Sequence, residues 1–154
     1  MSKATEKLIE SVKLHLLAIE TYNGQAVHFN RWGFPGLAKI AADDANEERE
    51  HLNALLARLE FFDVQPEYSH DQPNWPRGVG IEGVLKSNLA LEQKSAELER
   101  AAIVECRAEA DEISAKIFSL NLEGSENSIK EIEAAQEIIH FIGVQNYLTN
   151  YAKG

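Results

Sequence analysis

Glu48 and His51 stand three residues apart in EEREHLNALLARLE, residues 47–60, an otherwise ordinary amphipathic helical run. That spacing puts a carboxylate and an imidazole on one helix face, where both can reach a single ion without bending the backbone. Oxygen and nitrogen donors of this kind suit iron, manganese or zinc. One such pair is a weak signal by itself, because ordinary helices show it often. Its weight depends on what the rest of the chain brings to the same depth. His15 and Glu92 also fall in the middle of inward-facing stripes, so two imidazoles and two carboxylates are expected in one layer. Burying such groups without partners is costly, and the layer therefore implies either a bound cation or a closed hydrogen-bond network.

Four long helices and a short fifth position these residues. The first is expected from about Thr5 to Arg31, with Leu8, Val12, His15, Ile19 and Tyr22 on one stripe. The turn WGFPG, residues 32–36, ends it, and Pro35 is suited to open the second helix. That helix runs to about Phe62 with Leu37, Ile40, Asp44, Glu48, His51, Leu55 and Phe62 inward. Pro66, Pro73 and Pro76 then exclude a continuous helix over residues 63–80. A connection this long is what two parallel neighbouring helices require, since the chain must cross ~40 Å of bundle at ~1.5 Å per helical residue. The third helix spans about Ile81 to Ala110, with Leu85, Leu89, Glu92, Ala96, Ile103 and Cys106 inward. Asp111 can cap the fourth, which continues to about Ile142 through Phe118, Leu122, Ser125, Ile129, Ile132 and Ile139. Gly124, Ser125, Asn127 and Ser128 weaken its middle, where a kink is admissible. Gly143 permits a turn into a last short helix, VQNYLTNY.

With 154 residues and 44% hydrophobic content, the chain suits one domain with a real core. Acidic residues outnumber basic ones 25 to 15, for a formal charge of −10, which opposes nucleic-acid binding and suits a cation-attracting surface. The lone Cys106 cannot form an internal disulfide. The N-terminal stretch has helical rather than secretory patterning, and no run approaches the ~18 apolar residues of a membrane span, so a cytoplasmic location is expected.

Several stretches together resemble the bacterioferritins, within the ferritin-like superfamily: LHLLAIETY and RWG in the first helix, EEREHLNALLARLEFF, NLALEQKSAELERAAI and IGVQNYL. The resemblance covers nearly the whole chain. It implies an all-α ferritin-like four-helix bundle, with a long crossover between the second and third helices and a short C-terminal fifth helix. It also implies hollow shells of twenty-four like subunits that oxidise ferrous iron at a buried di-iron centre and store the ferric mineral. Position by position, the first Glu-x-x-His of the family falls on Glu48 and His51 and its third-helix bridging glutamate on Glu92. The first-helix bridging glutamate falls on His15, and the second Glu-x-x-His on Ser125 and Ser128. Arg49 takes the place of the methionine that ligates haem in some members, and Met1 is the only methionine, so a Met-ligated haem is not expected.

These departures remove anionic ligands. Two ferrous ions would carry four positive charges against Glu48 and Glu92, whereas one divalent ion is neutralised by that pair and completed by His15 and His51. The expectation is one metal or none per bundle, with metal ligands His15, Glu48, His51 and Glu92 and ferroxidase activity impaired or absent. Iron is the expected metal, with zinc or manganese as alternatives. Shell partners would be like subunits, with a ferroxidase-competent paralogous subunit as a further arrangement. The plainer alternatives are a hydrogen-bonded relic at His15, Glu48 and His51, a solvated acidic face at Asp43 and Glu47, and core filling by Tyr22, Trp32 and Trp75. A mononuclear metal protein or structural bundle outside iron storage is the competing function.

Overall fold

A computed structural model describes residues 1–154 as five helices: α1 Lys3–Trp32, α2 Pro35–Phe61, α3 Gly80–Ala108, α4 Glu112–Ile142 and α5 Val144–Tyr151. The expected elements are all present, with ends shifted by a few residues. Local chemistry explains the boundaries. Ser2 caps α1 by accepting from the Thr5 amide at 3.1 Å, and Gly33, at φ 84°, closes it in the left-handed region. Asp111 caps α4 as expected, accepting from the Ser114 amide at 3.0 Å. The Asp111 carboxylate also takes the Ser114 hydroxyl at 2.6 Å and Arg58 Nη2 at 2.7 Å.

The start of α2 has no side-chain cap. Its first free amides find a partner from the far end of the chain: Gly36 N–H and Leu37 N–H donate to the Ala152 carbonyl at 2.8 and 3.2 Å. Only glycine fits at position 36, because a Cβ there would lie 2.5 Å from the Gly154 nitrogen.

The core consists of two large apolar clusters at opposite ends of the bundle. One joins Leu8 and Val12 of α1, Leu55 and Leu59 of α2, Cys106 of α3 and Phe118 of α4. The other joins Phe29, Leu37, Ile81, Val84, Ile139 and Tyr147. Early α1 thus meets late α2 and late α3, so α1 and α2 are antiparallel while α2 and α3 run parallel. The long crossover is a consequence of that parallel pair. Trp75, in the crossover, lies against Gly24, where a Cβ would sit 3.2 Å from its ring. The buried His28 ring packs between Trp32 and Trp75, with centroids 3.8 and 5.8 Å away. Helix α4 runs unbroken through Gly124 and its polar neighbours. No helix is long and apolar enough to cross a membrane.

One inward assignment needs correction. Ile40 is 54% exposed, because the buried stripe of α2 follows Leu37, Ala38, Ala41 and Ala45 instead. Ile40 lies on the shoulder of α2 and lines a largely apolar cavity of about 550 Å³, together with Tyr22, Asp44, Ser128, Ile132 and Tyr147.

Candidate metal centre

Between the two apolar clusters lies a polar layer built from α1 residues 15–25, α2 residues 44–51, α3 residues 88–99 and α4 residues 121–128. His15, Glu48 and His51 converge there, with one ligand atom from each lying within 4.8 Å of the others. His15 is 2% exposed, and its Nδ1 lies 2.8 Å from the Ser11 carbonyl oxygen. That carbonyl can only accept, so Nδ1 carries the proton and Nε2 presents a lone pair. Nε2 in turn faces Glu48 Oε2 at 3.4 Å. Two acceptors face each other, which requires a proton or a cation between them.

Burial drives both groups towards neutrality. The His15 imidazole is lowered to about 4 by desolvation, which outweighs the Ser11 hydrogen bond. Glu48 is pushed well above the usual carboxylate range by burial, and the nearby Glu92 and Glu99 charges add to this. His51, half-buried, is lowered by desolvation and lies with Nε2 4.0 Å from Glu47 Oε1. Its ring is 5.8 Å from that of His15, nearly perpendicular at 77°. Gly124 makes room for it, since a Cβ there would come within 2.8 Å of His51 Cε1. The residue that weakens α4 locally is therefore the one that lets the imidazole lie against that helix.

Glu92 sits in the same layer but is not one of the three converging groups. It is 2% exposed, accepts from the Tyr22 hydroxyl at 2.5 Å through Oε1, and leaves Oε2 buried without a donor. Burial pushes it up to about 7 against the favourable Tyr22 hydroxyl. Tyr22, read as core filling, thus also orients a carboxylate. Ser125 is buried and Ser128 half-buried on the α4 wall. Asp44 is half-buried and raised to about 7, by desolvation first and then by Glu92 and Glu131. Arg49 is exposed.

Sequence reasoning missed Glu99. It is 1% exposed and accepts from the Ser125 hydroxyl at 3.1 Å, and burial pushes it up to about 8. A signal existed: Glu99 follows Glu92 by seven residues and so shares its stripe. The reciprocal amide pair of Gln25 and Asn88, at 2.7 and 2.9 Å, was also missed.

The donor set fits a cation. Imidazole nitrogens and carboxylate oxygens converge in a water-poor layer, and the buried carboxylates Glu48, Glu92 and Glu99 have no Lys or Arg ion-pair partner.

Comparison with known proteins agrees with this architecture. The chain is 26% identical over 142 residues to a bacterioferritin of Mycobacterium avium, covering 91% of this chain and 87% of that protein. It is 26% identical over 145 residues to a bacterioferritin of Brucella melitensis, covering 94% and 89% respectively. With a bacterioferritin of Rhodobacter capsulatus the identity is 27% over 149 residues, covering 95% and 90%. A family model described as a ferritin-like domain matches residues 5–142, and the chain belongs to the ferritin-like family.

Proposed function

We propose that this chain is a subunit of a bacterioferritin-like iron-storage shell, with a degenerate ferroxidase centre that holds one divalent cation on His15, Glu48, His51 and Glu92. The observation that carries this reading is the convergence of His15, Glu48 and His51 in the layer between the two apolar clusters. Iron is the natural occupant in a storage protein, and the same donors accept zinc or manganese. Ferroxidase activity is impaired or absent. An imidazole at position 15 cannot act as a shared bridging anion, and Ser125 and Ser128 offer only neutral hydroxyls where the family motif has a glutamate and a histidine. The subunit contributes shell and mineral surface, alone or co-assembled with a ferroxidase-competent paralogous subunit, in the cytoplasm and without Met-ligated haem.

Mass in solution, metal content per chain and ferrous oxidation kinetics, measured with and without a competent subunit, test the proposal. A large hollow assembly, cation bound at the imidazole position and slow oxidation restored by a competent partner are expected. Rapid oxygen consumption by this chain alone would overturn the account of the centre. A small species would favour a mononuclear metal protein or structural bundle outside iron storage, a reading to which the substitutions at positions 15, 125 and 128 also point.

A further inference from the structure

Glu99 has no part in the imidazole position, yet it is the most deeply buried carboxylate of the chain. Its Oε1 accepts from Ser125, while its Oε2 is sealed from solvent without a donor. Glu92, two helical turns earlier on α3, shows the same pattern, with Oε1 held by Tyr22 and Oε2 unpartnered. Neither forms an ion pair with a Lys or Arg. The facing wall of α4 supplies no countercharge. It presents the Ser125 hydroxyl and, one turn earlier, the buried amide of Asn121, whose nitrogen also lacks a partner. Two buried carboxylates, each with an oxygen aimed at nothing, are a costly arrangement unless a proton or a cation completes it.

We propose that Glu99 is a cation ligand, forming with Glu92, a carboxylate shared with the imidazole position on α1 and α2, an all-oxygen position against Ser125 on the α3–α4 side of the bundle. Residue 125 brings no carboxylate from the fourth helix, and Glu99 supplies one from the third. A site of carboxylate and hydroxyl oxygens favours hard divalent cations, Mn²⁺ among them, and borderline ions such as ferrous iron also accept carboxylate ligands. Glu99 also brings the buried carboxylates facing the centre to three, so a second divalent charge is better matched than Glu48 and Glu92 alone allow. The inference rests on the reading that the bundle centre binds cations, and it raises the capacity from one to two.

Anaerobic Co²⁺ titration of the full chain, followed by equilibrium dialysis and visible absorption, tests it. Wild type is expected to bind two Co²⁺ per chain. Glu99→Gln is expected to bind one and keep the absorption band of the imidazole-bound ion, while His51→Ala is expected to lose that band and keep the other ion. The glutamine is nearly isosteric and carries no buried charge, so the metal-free variant should melt no lower than wild type but gain less in melting temperature from Co²⁺. A Glu99→Gln protein with wild-type stoichiometry and the wild-type Co²⁺-induced rise would overturn the proposal, as would a wild type that binds only one ion. Unchanged binding by His51→Ala would instead refute the imidazole position and leave the role of Glu99 standing.

Discussion

Replacing Gly124 by alanine sets two effects of similar size against each other in different states of the protein. Glycine within a helix costs ~1 kcal/mol relative to alanine, so Gly124→Ala should stabilise α4. For a chain of this size that corresponds to a rise of about 2–4 °C in melting temperature. The new Cβ, however, would lie 2.8 Å from His51 Cε1 and 3.1 Å from Glu47 Oε1, so the imidazole must turn. Without a cation, His51 can swing away from α4 at little cost and the gain survives. With a cation, the ring must return to its crowded position. Holding a side chain off its preferred rotamer costs ~0.5–1.5 kcal/mol, and affinity should therefore fall between about twofold and tenfold. Thermal melts of the metal-free protein and Zn²⁺ competition against a chromophoric chelator measure the two quantities. A variant that melts higher and binds Zn²⁺ as tightly as wild type would refute the reasoning, because His51 would then not need its place beside residue 124 to act as a ligand.

Tyr22→Phe leaves both Glu92 oxygens without a donor and should destabilise the metal-free protein by about 1–3 kcal/mol in urea unfolding, with a smaller loss at saturating Zn²⁺. Asp111→Ala removes the α4 cap and strands Arg58, whose pair with Asp111 has side chains only 14% and 12% exposed, so a loss of about 3 kcal/mol is expected. Although burial opposes it, the Asp111 carboxyl is held below its ordinary value by hydrogen bonds from Ser114 and Arg58. Its contribution is therefore present above the unfolded value near 3.8 and lost as pH falls through the lower folded value, which acid unfolding of wild type and Asp111→Ala should show. In the metal-free protein, Asp44 and Glu92 at about 7 and Glu99 at about 8 hold protons that the unfolded chain has released. Stability should fall as pH rises from 6.5, where the lowered His15 no longer contributes, to 8, and saturating Zn²⁺ should flatten that decline in melts across the range.

The helices were legible because their apolar residues recur at helical spacing over long runs, and the crossover because three prolines interrupt any such pattern. The depth register was legible too, since His15, Glu48 and His51 each fall midway along a stripe and the helices are of similar length. What escaped has physical reasons. Glu99 lies on the stripe of Glu92, but acidic residues crowd that helix, and sequence does not distinguish a buried glutamate from its exposed neighbour Glu97. Ile40 was misplaced because a step of three or four residues is ambiguous at the edge of a stripe, and the small residues Ala38, Ala41 and Ala45 that form the true inner face attract less notice. Tyr22 satisfies packing and hydrogen bonding together, and only coordinates reveal the second. The bond from the α2 amides to Ala152 is main chain to main chain and leaves no mark in side-chain patterning beyond Gly36 itself.

That last bond bears on how the molecule is completed during synthesis. The first hairpin emerges from the ribosome long before residue 152 is added, at a synthesis rate of about 5–20 residues per second. Yet the opening turn of α2 cannot satisfy its free amides within the protein until Ala152 has been made. The nascent hairpin must carry a frayed turn, exchanging hydrogen bonds with water, until the tail arrives and docks on the bare backbone face of Gly36.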